Sequence, residues 1–302
     1  MMRAVQQLFW MTIYEWFDAL RSRRAMVVFL LYMASSICTM YWSISILGRM
    51  ESQLASLLQL PASERTGVIS TTLWQSKHFQ GLMRGVMQND AVFNDVWGTH
   101  PAELIYAWFL FFYMPMLVVL ICASRIPEEV GSGAVRYIVA RTSRSIWILG
   151  KFLGQVSMIG LAVLCSGILA YAVAWWRLGI YLPDGVCLSM VIWAFKAWIY
   201  AIPFIGLVMG LSLFTLSPGK STIIGILAIM VCFVINVVLN HFRDLSGWWS
   251  FLPFLGSILP SDYEMLLWRS QLRPVVSAAC FFVTLGFSYL GLGYYFFLKR
   301  DV

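Results

Sequence analysis

The sequence predicts an all-α membrane protein with six transmembrane helices, and three observations carry that prediction. Charged residues make up 12% and hydrophobic residues 60% of the chain, against about 25% charged in soluble domains. Six apolar runs each approach or exceed the ~20 residues that cross a hydrocarbon core as a helix. Arginine and lysine cluster in alternate connections, which is the positive-inside pattern. The formal charge of +7 is therefore a loop bias. A nucleic-acid binder would need a basic stripe on a soluble face, and no nucleic-acid partner is expected.

Residues 1–302 read as one transmembrane domain. Residues 1–25 predict an amphipathic helix, with Leu8, Phe9, Ile13, Trp16, Phe17 and Leu20 at helical spacing. Gln6, Gln7, Glu15, Asp18 and Arg21 fall largely elsewhere. Such a segment is too polar to span and is expected to lie as an elbow in the interface, aromatics down. Arg21, Arg23 and Arg24 then hold the start of span one, residues 26–47, in the cytoplasm. That span is too long for the apolar region of a cleaved signal. Residues 48–101 carry mixed charge with apolar residues at helical spacing, as at Leu54, Leu57 and Leu58. They predict a helical extracytoplasmic subdomain, a place for an external partner.

Span two is 102–123, with Pro115 inside it, and residues 124–146 form a polar island before span three, 146–176. In the island, Glu128 and Glu129 precede a Gly131-Ser132-Gly133 turn. Ser132 is expected to cap a short helix starting at Ala134. Val135, Ile138 and Val139 share one face of it, and Arg136, Ala140 and Arg144 another. Trp175 and Trp176 mark the far interface of span three.

Span four, 186–216, holds Lys196, a charge within an apolar run and so a weak candidate for a substrate site. The alternative is a lysine snorkelling between Trp193 and Trp198. Gly150/Gly154 and Gly206/Gly210 are small-residue steps that permit close helix approach. The turn at 217–222 contains Gly219-Lys220-Ser221-Thr222, but Phe214 stands where a phosphate-binding loop needs glycine. Span five is 222–240. The loop 241–273 is rich in tryptophan, proline and glycine and suits an interfacial or re-entrant helix. Span six is 274–298, followed by Lys299-Arg300-Asp301. Six crossings with this arginine distribution predict both termini in the cytoplasm of a plasma or bacterial inner membrane.

Catalytic sets are not apparent. The histidines, His78, His100 and His241, form no HExxH pair, and no metal ligand set is expected. Glu128-Glu129 is the start of an intramembrane-protease pattern, but Arg136 is too far on and the spans lack histidine. A secondary transporter would often show duplicated halves and paired intramembrane charges. The scattered cysteines, without a CxxC pair, predict buried apolar packing.

In the island and its flank, the residues Glu128-Glu129, Gly133-Ala134, Arg136-Tyr137-Ile138, Arg141, Arg144 and Gly150-Lys151-Phe152-Leu153-Gly154 resemble a motif of type-2 ABC transporter permeases. These are the permeases whose ATPase is a separate chain. Ala134 replaces the family's usual threonine, and Thr142 stands near a common proline. The basic-ended elbow and the aromatic terminus Tyr294-Tyr295-Phe296-Phe297-Leu298-Lys299-Arg300-Asp301 extend the likeness over the whole chain. The resemblance implies an ATP-driven exporter in which two permease copies pair as a homodimer and bind separate ATPases. It implies no cofactor and no catalysis on this chain, with ATP and Mg on the ATPase. It also implies a cytoplasmic coupling helix. Glu128, Glu129, Gly131, Ser132, Gly133, Arg136, Arg141, Arg144 and Lys151 would form its ATPase contact, with Lys151 paired to Glu128 or Glu129 or touching lipid phosphate.

Overall fold

The computed structural model describes residues 2–57, 80–81, 84–85, 90–179, 182–241, 256 and 258–299. All the regular elements among these residues are helical. Helix α1 (Met2–Arg21) passes through a break at Ser22 into α2 (Arg23–Leu57). A short α3 (Asp90–Val96) precedes α4 (Pro101–Cys122). Two short helices, α5 (Arg125–Gly131) and α6 (Ala134–Val139), lead to α7 (Arg144–Leu178). Then come α8 (Val186–Ser212) and α9 (Pro218–His241). A 3-10 turn (Pro260–Asp262), a one-turn α10 (Glu264–Leu267) and α11 (Leu272–Leu298) follow.

The six helices α2, α4, α7, α8, α9 and α11 are long and apolar enough to cross a membrane. The all-α, six-span expectation therefore holds. Most of the expected external subdomain at 48–101 lies outside the described residues. So do 242–255 of the loop expected to hold a re-entrant helix, and 300–302 of the terminus.

Local chemistry sets the helix ends. His100 takes extended backbone before α4, and its Nδ1 accepts from the Ala102 N–H at 3.2 Å. Pro101 fills the first helical position, where a missing N–H is harmless. Ser143 Oγ accepts from the Ile146 N–H at 3.3 Å and starts α7. Helix α8 stops at Ser212, short of the expected 216. There Ser212 Oγ donates to the Met209 carbonyl and Thr215 Oγ1 to the Ser212 carbonyl, a local alternative to the helical ladder.

Helix α8 sits at the centre: 72% of its apolar window is buried, against 6% for α9. It packs on α4, α7 and α11. Gly206 and Gly210 press against the α11 backbone at Gly286 and Tyr289, where a Cβ would collide. The Trp198 indole N–H donates to the Val156 carbonyl at 2.7 Å and ties α8 to α7. Tyr106 of α4 donates to the Val163 carbonyl at 3.0 Å, and Ser36 of α2 to the Ser166 carbonyl at 3.2 Å. Cys122 is buried, but Cys38, Cys187 and Cys280 are exposed, contrary to the expected burial. Apolar spans have an outward surface, and cysteine suits it as well as a core.

Candidate functional site

The starts of α2 and α7, the α5–α6 segment and the end of α11 meet at one end of the bundle. Arg24 lies 3.5 Å from Glu128. Ser145 and the Tyr294 hydroxyl are 2.8 Å apart, and the Trp147 ring lies 6.1 Å from that of Phe297.

At the centre of this junction is Lys151 of α7. Its ammonium donates to Glu15 Oε2 and lies against Glu129 Oε1, both at 2.8 Å. Lys151 and Glu15 are each 1% exposed. Gln155 donates to the other Glu15 oxygen at 2.6 Å, and the Trp147 indole N–H donates to Glu129 Oε2 at 2.9 Å. Trp147, Lys151 and Gln155 are four apart, so one stripe of α7 carries all three. The carboxylates come from α1 and α5. Buried charges persist only when paired and hydrogen-bonded, and here both oxygens of each carboxylate have a donor.

Two glycines admit α1 to this site. A Cβ on Gly150 would lie 2.6 Å from Met11 Cβ, and one on Gly154 2.7 Å from Glu15 Cγ. Met11 and Glu15 are themselves one turn apart, so the stripe on α1 sits in the notch on α7. A second tie adjoins the first. Arg125 of α5 is 3% exposed and donates to Asp18 Oδ2 at 2.9 Å. Its other terminal nitrogen is buried without a hydrogen-bond partner.

The residues singled out from sequence divide into inward and outward sets. Glu129 and Lys151 point inward. Glu128 turns the other way, towards Arg24, so the two acids do not converge on one site. Gly133 has φ +74°, a left-handed conformation that glycine takes freely, and breaks α5 from α6. Gly131 serves a different end: a Cβ there would lie 2.6 Å from the Leu216 carbonyl oxygen. Ser132 donates back to the Glu129 carbonyl at 3.2 Å instead of capping α6. Val135 is buried beneath α6, with Ile138 and Val139 half-buried. Arg136 and Arg141 are exposed. Arg144 is not on the α6 face with Arg136, because Ser143 restarts the helix and makes Arg144 the first residue of α7.

Beside α5 and α6 runs a cavity of about 930 Å³, with Gly131 to Gly133 and Arg136 on one wall and Leu216, Ser217 and Lys220 on the other. Lys196 belongs elsewhere. Its ammonium donates to the Arg269 carbonyl at 3.0 Å and lies 4.5 Å from the Trp193 ring. Trp198 turns to α7 and takes no part.

Sequence reasoning missed Glu15, Asp18, Arg125, Trp147 and Gln155 as members of the junction. Tyr137, named in the motif but left out of the expected ATPase contact, is 82% exposed on α6. The four-residue spacing of Trp147, Lys151 and Gln155 was a usable signal. Nothing in the sequence pointed from it to Glu15.

The α1 notch, the charged junction and the α5–α6 segment lie within a stretch that known proteins share. A protein-family model described as ABC-2 family transporter protein matches residues 10–302. A comparison with curated proteins finds no match. The family match spans nearly every element described above, from within α1 to the end of α11, and the chain therefore belongs to the ABC-2 family of transporter proteins.

Proposed function

We propose that this chain is the membrane permease subunit of an ATP-driven exporter, moved by a separate ATPase that docks on α5 and α6. ABC-2 permeases work with separate ATPase subunits, and ATP with its Mg²⁺ would reside on that partner. One observation carries the reading: an exposed basic surface at Arg136, Tyr137 and Arg141 sits on a buried ionic joint, Glu15–Lys151–Glu129. A push on α6 passes through Gly133 to α5, then through Glu129 to α7 and through Glu15 to α1. Charged pairs held in low dielectric resist separation, so these elements move together. The cavity between Arg136 and Lys220 suits an acidic edge of the ATPase.

The same reading places both termini and the junction in the cytoplasm. It sets the outer face of α1, with Phe9, Trp10 and Phe17 about 60% exposed, in lipid. It also gives the exposed apolar flank of α9 to a second copy of the chain, and residues 48–101 to any external partner. Export is the direction the family resemblance implies.

The test is affinity purification from the native membrane. Wild type should bring down an ATPase at one-to-one ratio. Tyr137→Ala with Arg141→Glu should reduce its recovery at least tenfold without lowering the melting temperature of the permease. Full recovery with the double variant would reject α6 as the docking surface. The absence of any ATPase from the wild-type preparation, where other ABC complexes survive, would reject the permease reading.

A further inference from the structure

A second cavity, of about 500 Å³, lies between α4, α8, α9 and α10. Its walls are Trp108 and Phe112 of α4 and Met230 and Phe233 of α9, all more than 40% exposed in the single chain. At its inner end the Tyr200 hydroxyl donates to Glu264 Oε2 at 3.0 Å. The Trp268 ring closes that end, 5.6 Å from Trp108. The size is that of a site for a drug-sized molecule.

Among the described residues the carboxylate has no matching charge: no lysine, arginine or histidine lies within ion-pairing distance of Glu264. The nearby cations are engaged elsewhere: Lys196 on the Arg269 carbonyl, and Arg269 on Asp95 at 2.7 Å. Burial raises the Glu264 carboxyl above its ordinary value. A partner that carries a positive charge and an apolar body would meet both features of this cavity. Ring faces attract cations, most strongly when water is excluded. A neutral ligand or an anion would offer the carboxyl no counter-charge and leave it in the neutral form that burial favours.

We propose that this cavity binds a lipophilic organic cation, with Glu264 as its counter-charge and the rings of Trp108 and Phe112 as its walls. The inference deepens the exporter reading by naming a class of substrate, and it rests on that reading for what the bound molecule is for.

The experiment uses the purified chain in nanodiscs without any ATPase. Tetraphenylphosphonium is the probe and tetraphenylborate its anion of the same shape, each corrected for partition into protein-free discs. The cation should bind at least tenfold more tightly than the anion. Glu264→Gln keeps the shape and an oxygen to accept from Tyr200. It should weaken cation binding at least tenfold and move anion binding less than twofold. Equal binding of the two ions, or unchanged cation binding in Glu264→Gln, overturns the proposal and leaves the cavity a lipid groove. If Glu264→Gln does not purify as a folded protein, Met230→Lys decides. It places a cation opposite the intact carboxylate and should abolish the preference, whereas a retained tenfold preference overturns the proposal. Because no ATPase is present, failure here leaves the docking reading untouched, and failure of ATPase recovery leaves this one untouched.

Discussion

Lys151 shares one positive charge between two carboxylates, and the three groups have little water to screen them. Removing a partner is therefore not symmetrical. Lys151→Met leaves Glu15 and Glu129 facing each other with no cation between them. It is expected to destabilise the folded chain by about 3–5 kcal/mol, the range for breaking a buried ion pair. Glu129→Gln leaves a one-to-one pair of Lys151 with Glu15, and its amide oxygen still accepts from Trp147. Its loss should stay near 1 kcal/mol, the worth of an ordinary hydrogen bond. Thermal melting of the two purified variants separates the cases, and equal losses would undo the charge-balance account. The same geometry bears on how docking is probed. An arginine at 129 would face Lys151 and disturb the spans, whereas Arg136 and Arg141 can be changed without touching the joint.

At the scale of elements, α1 is held to α7 by a notch of two glycines, and filling the notch should release it. Gly154→Leu puts side-chain atoms where Glu15 now lies, an overpacking that typically costs about 1–3 kcal/mol. Amide hydrogen exchange should then quicken along α1 while α8 keeps its protection. Unchanged exchange in α1 would mean that the notch does not hold it. This helix also marks the limit of what could be read from the sequence. The spans were legible because apolar length is a property of one stretch; their ends fell within four residues of the helices found, except that α2 runs ten residues past the expected end at 47. The amphipathic reading of α1 was legible too, and Phe9 and Phe17 do face outward. The burial of Glu15 was not, because a helical wheel cannot tell whether a polar face meets water or another helix. The answer lay in Gly150, Lys151 and Gln155, far along the chain. Ser132 and Arg144 were misplaced for a related reason. Each can cap or continue either neighbouring helix, and only the position of the break at Ser143 and the fold of α5 decide which.

For the whole molecule, the charged junction, Arg136 of α6 and the exposed Arg141 just after it lie at the end where α2 begins and α11 finishes. If the positive-inside bias sets orientation, a cysteine replacing Tyr137 will react with an impermeant thiol reagent only in inside-out vesicles. One replacing Asp184, in the short turn between α7 and α8, will react only from the opposite side. The native Cys38, Cys187 and Cys280 are exposed and must first be removed. The reverse labelling pattern would invert the orientation and move α6 out of reach of a cytoplasmic ATPase. The joint also has a history within each molecule. Glu15 leaves the ribosome 136 residues before Lys151. Until α7 has been made, α1 has neither its notch nor its cation. Closing the pair thus waits until about half of the chain has been made. A chain halted before its third span would display a loose N-terminal helix, a physical mark by which membrane proteases could sort unfinished copies from finished ones.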